Sequence, residues 1–571
     1  MAMGELRAVK KTLRWLSYTA LALIVIALAY GVARFAPNHP QSTSSAEEHF
    51  KYGSLGGDQF TGIPVKLWQA MPLVCANTLH ELAGGRLPKD YLDRVAQYYG
   101  DERDHKSRQQ LAREGYKALG FIYEKTPSGE ERALPVGMSR RHSLGLDRTY
   151  LNCAVCHTST VVPEVGDAAQ LVLGMPANLF NLYDFEQFMM RCMAEGSGSR
   201  IVQLDFIAEM ESLYGRLNTV DKHIVYPLAI WALQDTMHFL ANVAGFSQRQ
   251  PHWGPGRNDT FTNNKVFLYG YDWRSRIPDW HSTGRVNPDD IGIVDFPSTW
   301  LQGKRQHRDD GQPMQLHWDG NNSKVEERNL NAAVATSSLP ATIDYAALEC
   351  IEQWMETLEP PRYPLPVNQP LAAQGEPIYR RYCADCHGAS GRDFSGQYVG
   401  HVTHIDEIKT DRYRLDNYTP ELALNMATTY TDTVRTARDH TCPGGDTYQA
   451  DSAERNYRYT HYRKTRGYAN APLDGVWARA PYLHNGSVPT LWHLLQPSAL
   501  RPKQFYRGNN LLHPTEIGFE YRFATNSQNQ TLFLFDSAIP GNGNWGHEGK
   551  AYGTELSDSE KYALLEYLKT F

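Results

Sequence analysis

A mainly α-helical chain, built as two units with long loops behind an N-terminal membrane helix, is the fold class that three features of the sequence predict. One pentapeptide pattern occurs twice, as Cys153-Ala154-Val155-Cys156-His157 and as Cys383-Ala384-Asp385-Cys386-His387. Each copy is followed, much later, by an amphipathic helical pattern that closes its unit. Ahead of both, a basic cluster leads into an apolar run free of charged residues.

That run spans residues 15–33, preceded by Lys10, Lys11 and Arg14. Nineteen or so apolar residues in helical form match the thickness of a bilayer core. Positive charge on the N-terminal side places that end in the cytoplasm and the body outside. Residues 1–36 therefore read as a retained anchor in a bacterial inner membrane. The alternative is a cleaved signal, with Ala27-Leu28-Ala29 or Gly31-Val32-Ala33 as the small-residue site and a periplasmic product. Residues 37–59 follow as a polar tether.

The body begins at about residue 60. With 571 residues, 41 % of them hydrophobic, it has material for two or three packed domains. A net charge of −6 gives no electrostatic footprint for nucleic acid. The first unit is expected over 60–360. Residues 200–250 carry helical patterns, and residues 250–330, rich in Gly, Pro, Asn and Trp, read as long loops. Leu348, Ile351, Met355 and Leu358 then recur at helical spacing over 343–358, and Pro360, Pro361, Pro364 and Pro366 stop that helix. The second unit is expected over 367–571. It opens with a helical pattern that runs into Cys383. It closes with a helix started by a Ser557/Glu560 capping box and carrying Leu564, Leu565 and Leu568.

Cys-x-x-Cys-His is the attachment pattern of c-type haem. The two thiols take the haem vinyl groups, and the adjacent imidazole is held under the ring as an iron ligand. A zinc half-site or a redox dithiol is the bland reading. Chance composition gives roughly 0.004 such pentads per chain, so a second copy is not an accident. Two haems c are thus expected, on Cys153, Cys156 and His157 and on Cys383, Cys386 and His387, in two cytochrome-c-like domains. Cys75, Cys192, Cys350 and Cys442 remain. In an exported chain they are free to form disulfides, with three possible pairings.

The opposite face of each iron decides its chemistry, since two strong ligands suit electron transfer and an open face binds small molecules. In a small cytochrome c fold the second ligand comes from the loop before the closing helix. Here that loop, GNGNWGHEGKAYG, contains His547. His484, in RAPYLHNGSVPTLW, is the alternative. For the first iron, Met314 and His317 in MQLHWDGNNSKVEERN are the counterparts, but they lie some 25 residues before the closing helix, which makes an open first site plausible. Trp300 and Trp318 are candidate electron relays, because both fall late in the first unit.

The paired pentads, APYLHNGSVPTLW and GHEGKAYGTELSDSEKYALLEYLK resemble the di-haem cytochrome c peroxidase superfamily. Within it, DFPSTWLQ, LHWDGNNSKVEERN and the late GHE loop are most similar to the bacterial rubber oxygenases and their relatives. The resemblance covers roughly residues 140–571. It implies a catalytic first haem over His157 and a low-spin second haem held by His387 and His547, with Trp300 as the tryptophan between them. Some members of that group hold calcium between the domains, which makes calcium a candidate cofactor beside the haems.

Two functions from different classes follow. In one, the chain is a peroxidase- or oxygenase-type oxidoreductase acting with peroxide, dioxygen or an apolar organic substrate. In the other, it is an electron carrier between small periplasmic donor and acceptor proteins, with both irons six-coordinate. A haem-based sensor is a third class, supported by the haems alone.

Overall fold

The computed structural model describes residues 25, 28–56, 62–98, 104–194, 200–244, 250–262, 265, 271–272, 277–278, 290–336, 342–429, 434–435, 438–449, 455–456 and 460–571. Most of the apolar N-terminal run lies outside them. Residues 28–35 are helical, and among the described residues no helix is long and apolar enough to cross a membrane.

The first unit is a helical layer fronted by a small sheet. Helices Val65–Val74, His105–Lys117, Leu182–Ala194, Arg200–Tyr214 and Tyr226–Ala244 pack around Trp68, Tyr116, Phe188 and Met210, all fully buried. Trp68 and Tyr116 stack with ring centroids 3.8 Å apart. Cys75 and Cys192 cross-link helices here, and Cys350 and Cys442 form a second disulfide. The structure thereby selects one of the three pairings.

The antiparallel sheet runs in the order His39–Pro40, Met138–Ser143, Leu146–Leu151, Ile63–Pro64. Of the stretch expected as a tether over 37–59, the described residues 37–56 are therefore part of the body. His39 and Pro40 add an edge strand, and Ser45 caps helix Ala46–Tyr52 through the Glu48 amide. Phe50 and Leu55 are buried. These two apolar side chains are enough to dock a segment that otherwise looks polar.

The second unit is built on two crossing helices, Gln369–Tyr382 and Asp558–Leu568. Gly375 makes the crossing possible, since a Cβ there would lie 2.0 Å from the Ala563 carbonyl oxygen. The Ser557/Glu560 capping box forms as expected, and the helix expected over 343–358 is Tyr345–Thr357. Residues from both sides of the proline stretch share one core, which holds Val161 and Trp300 together with Tyr379, Trp477 and Leu564. Tyr418, Leu422 and Met426 likewise pack in one cluster with Cys153 and Ala154. The later half of the chain thus covers the first pentad.

Candidate haem sites and the path between them

The pentads are presented differently. Strand Leu146–Leu151 delivers Asn152, whose side chain accepts from the Ala154 amide and caps a single 3₁₀ turn, Cys153–Val155. The second pentad instead ends helix Gln369–Tyr382 and continues as the turn Ala384–His387.

Their side chains behave alike. Burial pushes the Cys153 and Cys383 thiols up to about 12. A redox dithiol needs its thiolate stabilised, the opposite shift. The four pentad cysteines also stay unpaired, while the other four form disulfides. His157 Nδ1 donates to the Pro297 carbonyl at 2.8 Å, and His387 Nδ1 donates to the Ala471 carbonyl at 2.8 Å. Each bond fixes the tautomer and frees Nε2, which is how metal-binding imidazoles are usually oriented. Burial lowers both rings, His157 to about 4, so both are neutral near pH 7 and able to ligate.

Of the two candidate partners for His387, only His547 faces it. The ring centroids are 6.2 Å apart and the planes tilted by 46°. A metal bound through one nitrogen of each ring, at about 2 Å per bond, separates the ring centres by about 6 Å. Burial and the neighbouring His387 lower His547 to about 3. Its backbone is left-handed, with φ +48°, a conformation that costs a non-glycine residue on the order of 1–3 kcal/mol. Arg501 holds the loop in place. Its Nη1 donates to the carbonyls of Asn544 and Gly546 at 2.6 and 2.9 Å, and its Nη2 to that of His547 at 3.2 Å.

His484 has other work. Its Nε2 donates to the Tyr468 hydroxyl at 3.0 Å, which itself donates to the Asp411 carbonyl at 2.7 Å, and the two rings stack. The His484 carbonyl also accepts from the Asp295 amide. Trp318 donates to the Asp295 carbonyl at 2.9 Å and belongs to the same seam.

At the first site, His317 is enclosed, with φ +62° and Nδ1 on Asn321 Oδ1 at 2.6 Å. No described group bonds its Nε2. Burial, with Arg328 adding repulsion, lowers it to about 3. The positive charge of Arg328 also lowers His157. Burial raises the Glu186 carboxyl to about 8, and its charge reaches Cys156. Met314 is placed apart, packed on Gly400 in the core that holds Trp300.

Trp300 touches a segment next to each pentad histidine. Its Nε1 donates to the Leu173 carbonyl at 2.8 Å, and the next amide, Gly174, donates to the His157 carbonyl at 2.8 Å. On its other edge stands Gly475, four residues after the Ala471 carbonyl that orients His387. A Cβ at Gly174 or at Gly475 would come within 2.5 Å of the indole. Arg479 sits over the ring at 5.8 Å and is paired with Asp474.

Residues 467–506 match the family model described as RoxA-like, cytochrome c-like. The matched stretch contains Ala471, Gly475, Arg479, His484 and Arg501. It supports a relationship to the RoxA-like cytochromes and, with it, covalently bound haem c. Over longer stretches the chain is similar to two proteins of Sinorhizobium fredii (strain NBRC 101917 / NGR234). It is 28 % identical to uncharacterized protein y4iM over 318 residues, 49 % of this chain and 64 % of that one. It is 30 % identical to uncharacterized protein y4iJ over 252 residues, 37 % of this chain and 41 % of that one. Both matches span less than two thirds of the relative's length.

The residues present fit two haems. Each site offers two neutral thiols and an imidazole with a free Nε2, and the second adds a facing imidazole. Sequence reasoning did not single out Arg501, Arg328 or Glu186: Arg501 and Glu186 lie in no stretch that it drew on, and Arg328 lies in one, LHWDGNNSKVEERN, without a role of its own.

Proposed function

We propose that the chain is a di-haem oxidoreductase with divided labour. The first haem, on Cys153, Cys156 and His157, is the catalytic one, acting with dioxygen or peroxide on an organic substrate. The second, on Cys383, Cys386, His387 and His547, stores and relays electrons. Haem supplies a redox-active iron at each site, which no side chain here has.

The observation that carries this reading is the asymmetry of the facing groups. His547 opposes His387 at the spacing of a shared metal, whereas no imidazole ring stacks or tilts against His157 among the described residues. The first pentad feels Arg328, a fixed positive charge suited to an anionic oxygen, at His157, and Glu186, a carboxyl able to hold a proton near neutral pH, at Cys156. Trp300 supplies a buried aromatic between the segments that orient His157 and His387. Two disulfides and the haem attachment pattern support a body outside the cytoplasm.

One observation favours a second reading, the electron carrier. His317 has a free Nε2 in the first site, and a ring swung onto the iron would make that haem six-coordinate as well. Low-temperature EPR of the oxidised, purified protein, with haem quantified beside it, decides. One high-spin and one low-spin ferric signal with two haems per chain is expected. Two low-spin signals that persist after partial reduction would support the carrier instead.

A further inference from the structure

We propose that one helix face of the first unit rests on the lipid bilayer: Val220, Ile224, Leu228 and Trp231 lie among the headgroups of the membrane from which the N-terminal apolar run emerges. This holds whatever the irons do, because it uses none of the haem-site residues.

The helical stretch Asp221–Val225 and Tyr226–Ala244 carries apolar residues on two faces between Val220 and Leu233. Its inner face, with Val225, Tyr226, Ala229, Ile230 and Leu233, is buried in the helical core. A surface helix of a globular protein carries polar residues on the other side. Here Ile224, Leu228 and Trp231 are 54, 61 and 59 % exposed, and Val220 precedes them. Steps of four, four and three residues keep the four on one face. Contiguous exposed apolar surface of this kind marks a contact site.

The structure also indicates what covers it. Helical residues 28–35 continue the apolar sequence run and end beside this stripe. Arg34 is ion-paired with Asp221, the residue after Val220. Arg34 and Phe35 lie against Gly145, and His39 and Pro40 are paired into the sheet. The chain therefore enters the body at the start of the stripe, tied down at three points. Val25, Leu28 and Val32 of the entering segment are themselves exposed. A bilayer holding that segment has its headgroup layer within a few residues of Val220. The composition suits that layer: Trp231 and Tyr30 have the amphipathic rings enriched there, and Arg34 and Lys222 have stems long enough to reach outward. Asp221 is ion-paired with Arg34 and accepts a hydrogen bond from the Asn218 amide.

The test uses the full-length holoprotein in liposomes of phosphatidylethanolamine and phosphatidylglycerol. A nitroxide is attached to Leu228→Cys, to Trp231→Cys and, for comparison, to Leu500→Cys, which is 69 % exposed on the second unit. Power saturation compares collision with oxygen, which dissolves in lipid, and with a polar nickel chelate. The expected result is that the labels at 228 and 231 favour oxygen and the label at 500 favours nickel. Nickel-favoured labels at 228 and 231 would overturn the proposal. Labels shielded from both reagents, with spin–spin broadening that grows with protein-to-lipid ratio, would overturn it in favour of a second copy of the chain.

Discussion

The imidazoles of His387 and His547 face each other with centroids 6.2 Å apart, although 160 residues separate them in the chain. Cys383, Cys386 and His387 suffice to attach a haem, so His547→Ala is expected to keep full haem content. What should change is the spin state, because the variant removes one of two strong ligands. Its second ferric signal is expected to move from low spin to high spin in optical and EPR spectra. An unchanged low-spin signal would remove His547 from the ligand set.

The strained His547 backbone depends on Arg501. That guanidinium donates to five backbone carbonyls, three of them in the loop Asn544–His547. Arg501→Gln leaves most of these buried acceptors unsatisfied, which costs on the order of 1–3 kcal/mol. Arg501→Lys restores the charge but not the planar fork, so it should recover little. Both variants are expected to show lower stability in denaturant titration. Both should also show a mixed-spin second haem whose high-spin fraction rises with temperature. A destabilised variant with a wholly low-spin haem would mean that Arg501 supports the fold and does not position the ligand.

Much of this was legible in the sequence, and unevenly so. The capping box at Ser557 was readable, as was the loop that sets His547 opposite His387, because each is a local pattern with a local physical cause. The tether was not, because the docking of Phe50 and Leu55 depends on partners hundreds of residues away. The disulfide pairing was open for the same reason. Arg501 carried no signal and Arg328 none that gave it a role, since an arginine that caps carbonyls or sets its charge beside a buried ring looks like any surface arginine until the chain is folded.

Glu186 makes the first site sensitive to pH. Burial raises its carboxyl to about 8, with Asp259 adding repulsion. A raised acid binds its proton more tightly in the folded state than in the unfolded chain. The stabilisation is therefore fully present below the usual glutamate value and is lost as pH rises through about 8. Because Glu186 keeps part of its surface accessible, the loss is on the order of 1–3 kcal/mol. Glu186→Gln is expected to flatten the fall in stability between about pH 4.5 and about pH 8, read as denaturation midpoints across that range. An identical fall in the variant would assign it to other groups.

Trp300 packs against Gly174 and Gly475, next to the segments that carry the two pentad histidines, and two substitutions separate its presence from its position. Trp300→Phe keeps an aromatic ring but removes the Nε1 bond to Leu173 and leaves a small cavity, at a cost of about 1–3 kcal/mol. Gly475→Ala keeps the indole but drives a Cβ to 2.5 Å from it, at a backbone φ of +61° that alanine tolerates poorly. The indole or the segment carrying Arg479 must move. Neither change touches His157, His387 or His547, so both ferric spectra should stay as they are. Stopped-flow reduction is expected to show the second haem reduced at the normal rate and the first haem reduced more slowly, in both variants. If Trp300→Phe slows the transfer and Gly475→Ala does not, an indole is required but its exact seat is not. If neither slows it, electrons pass between the haems by a route that avoids Trp300.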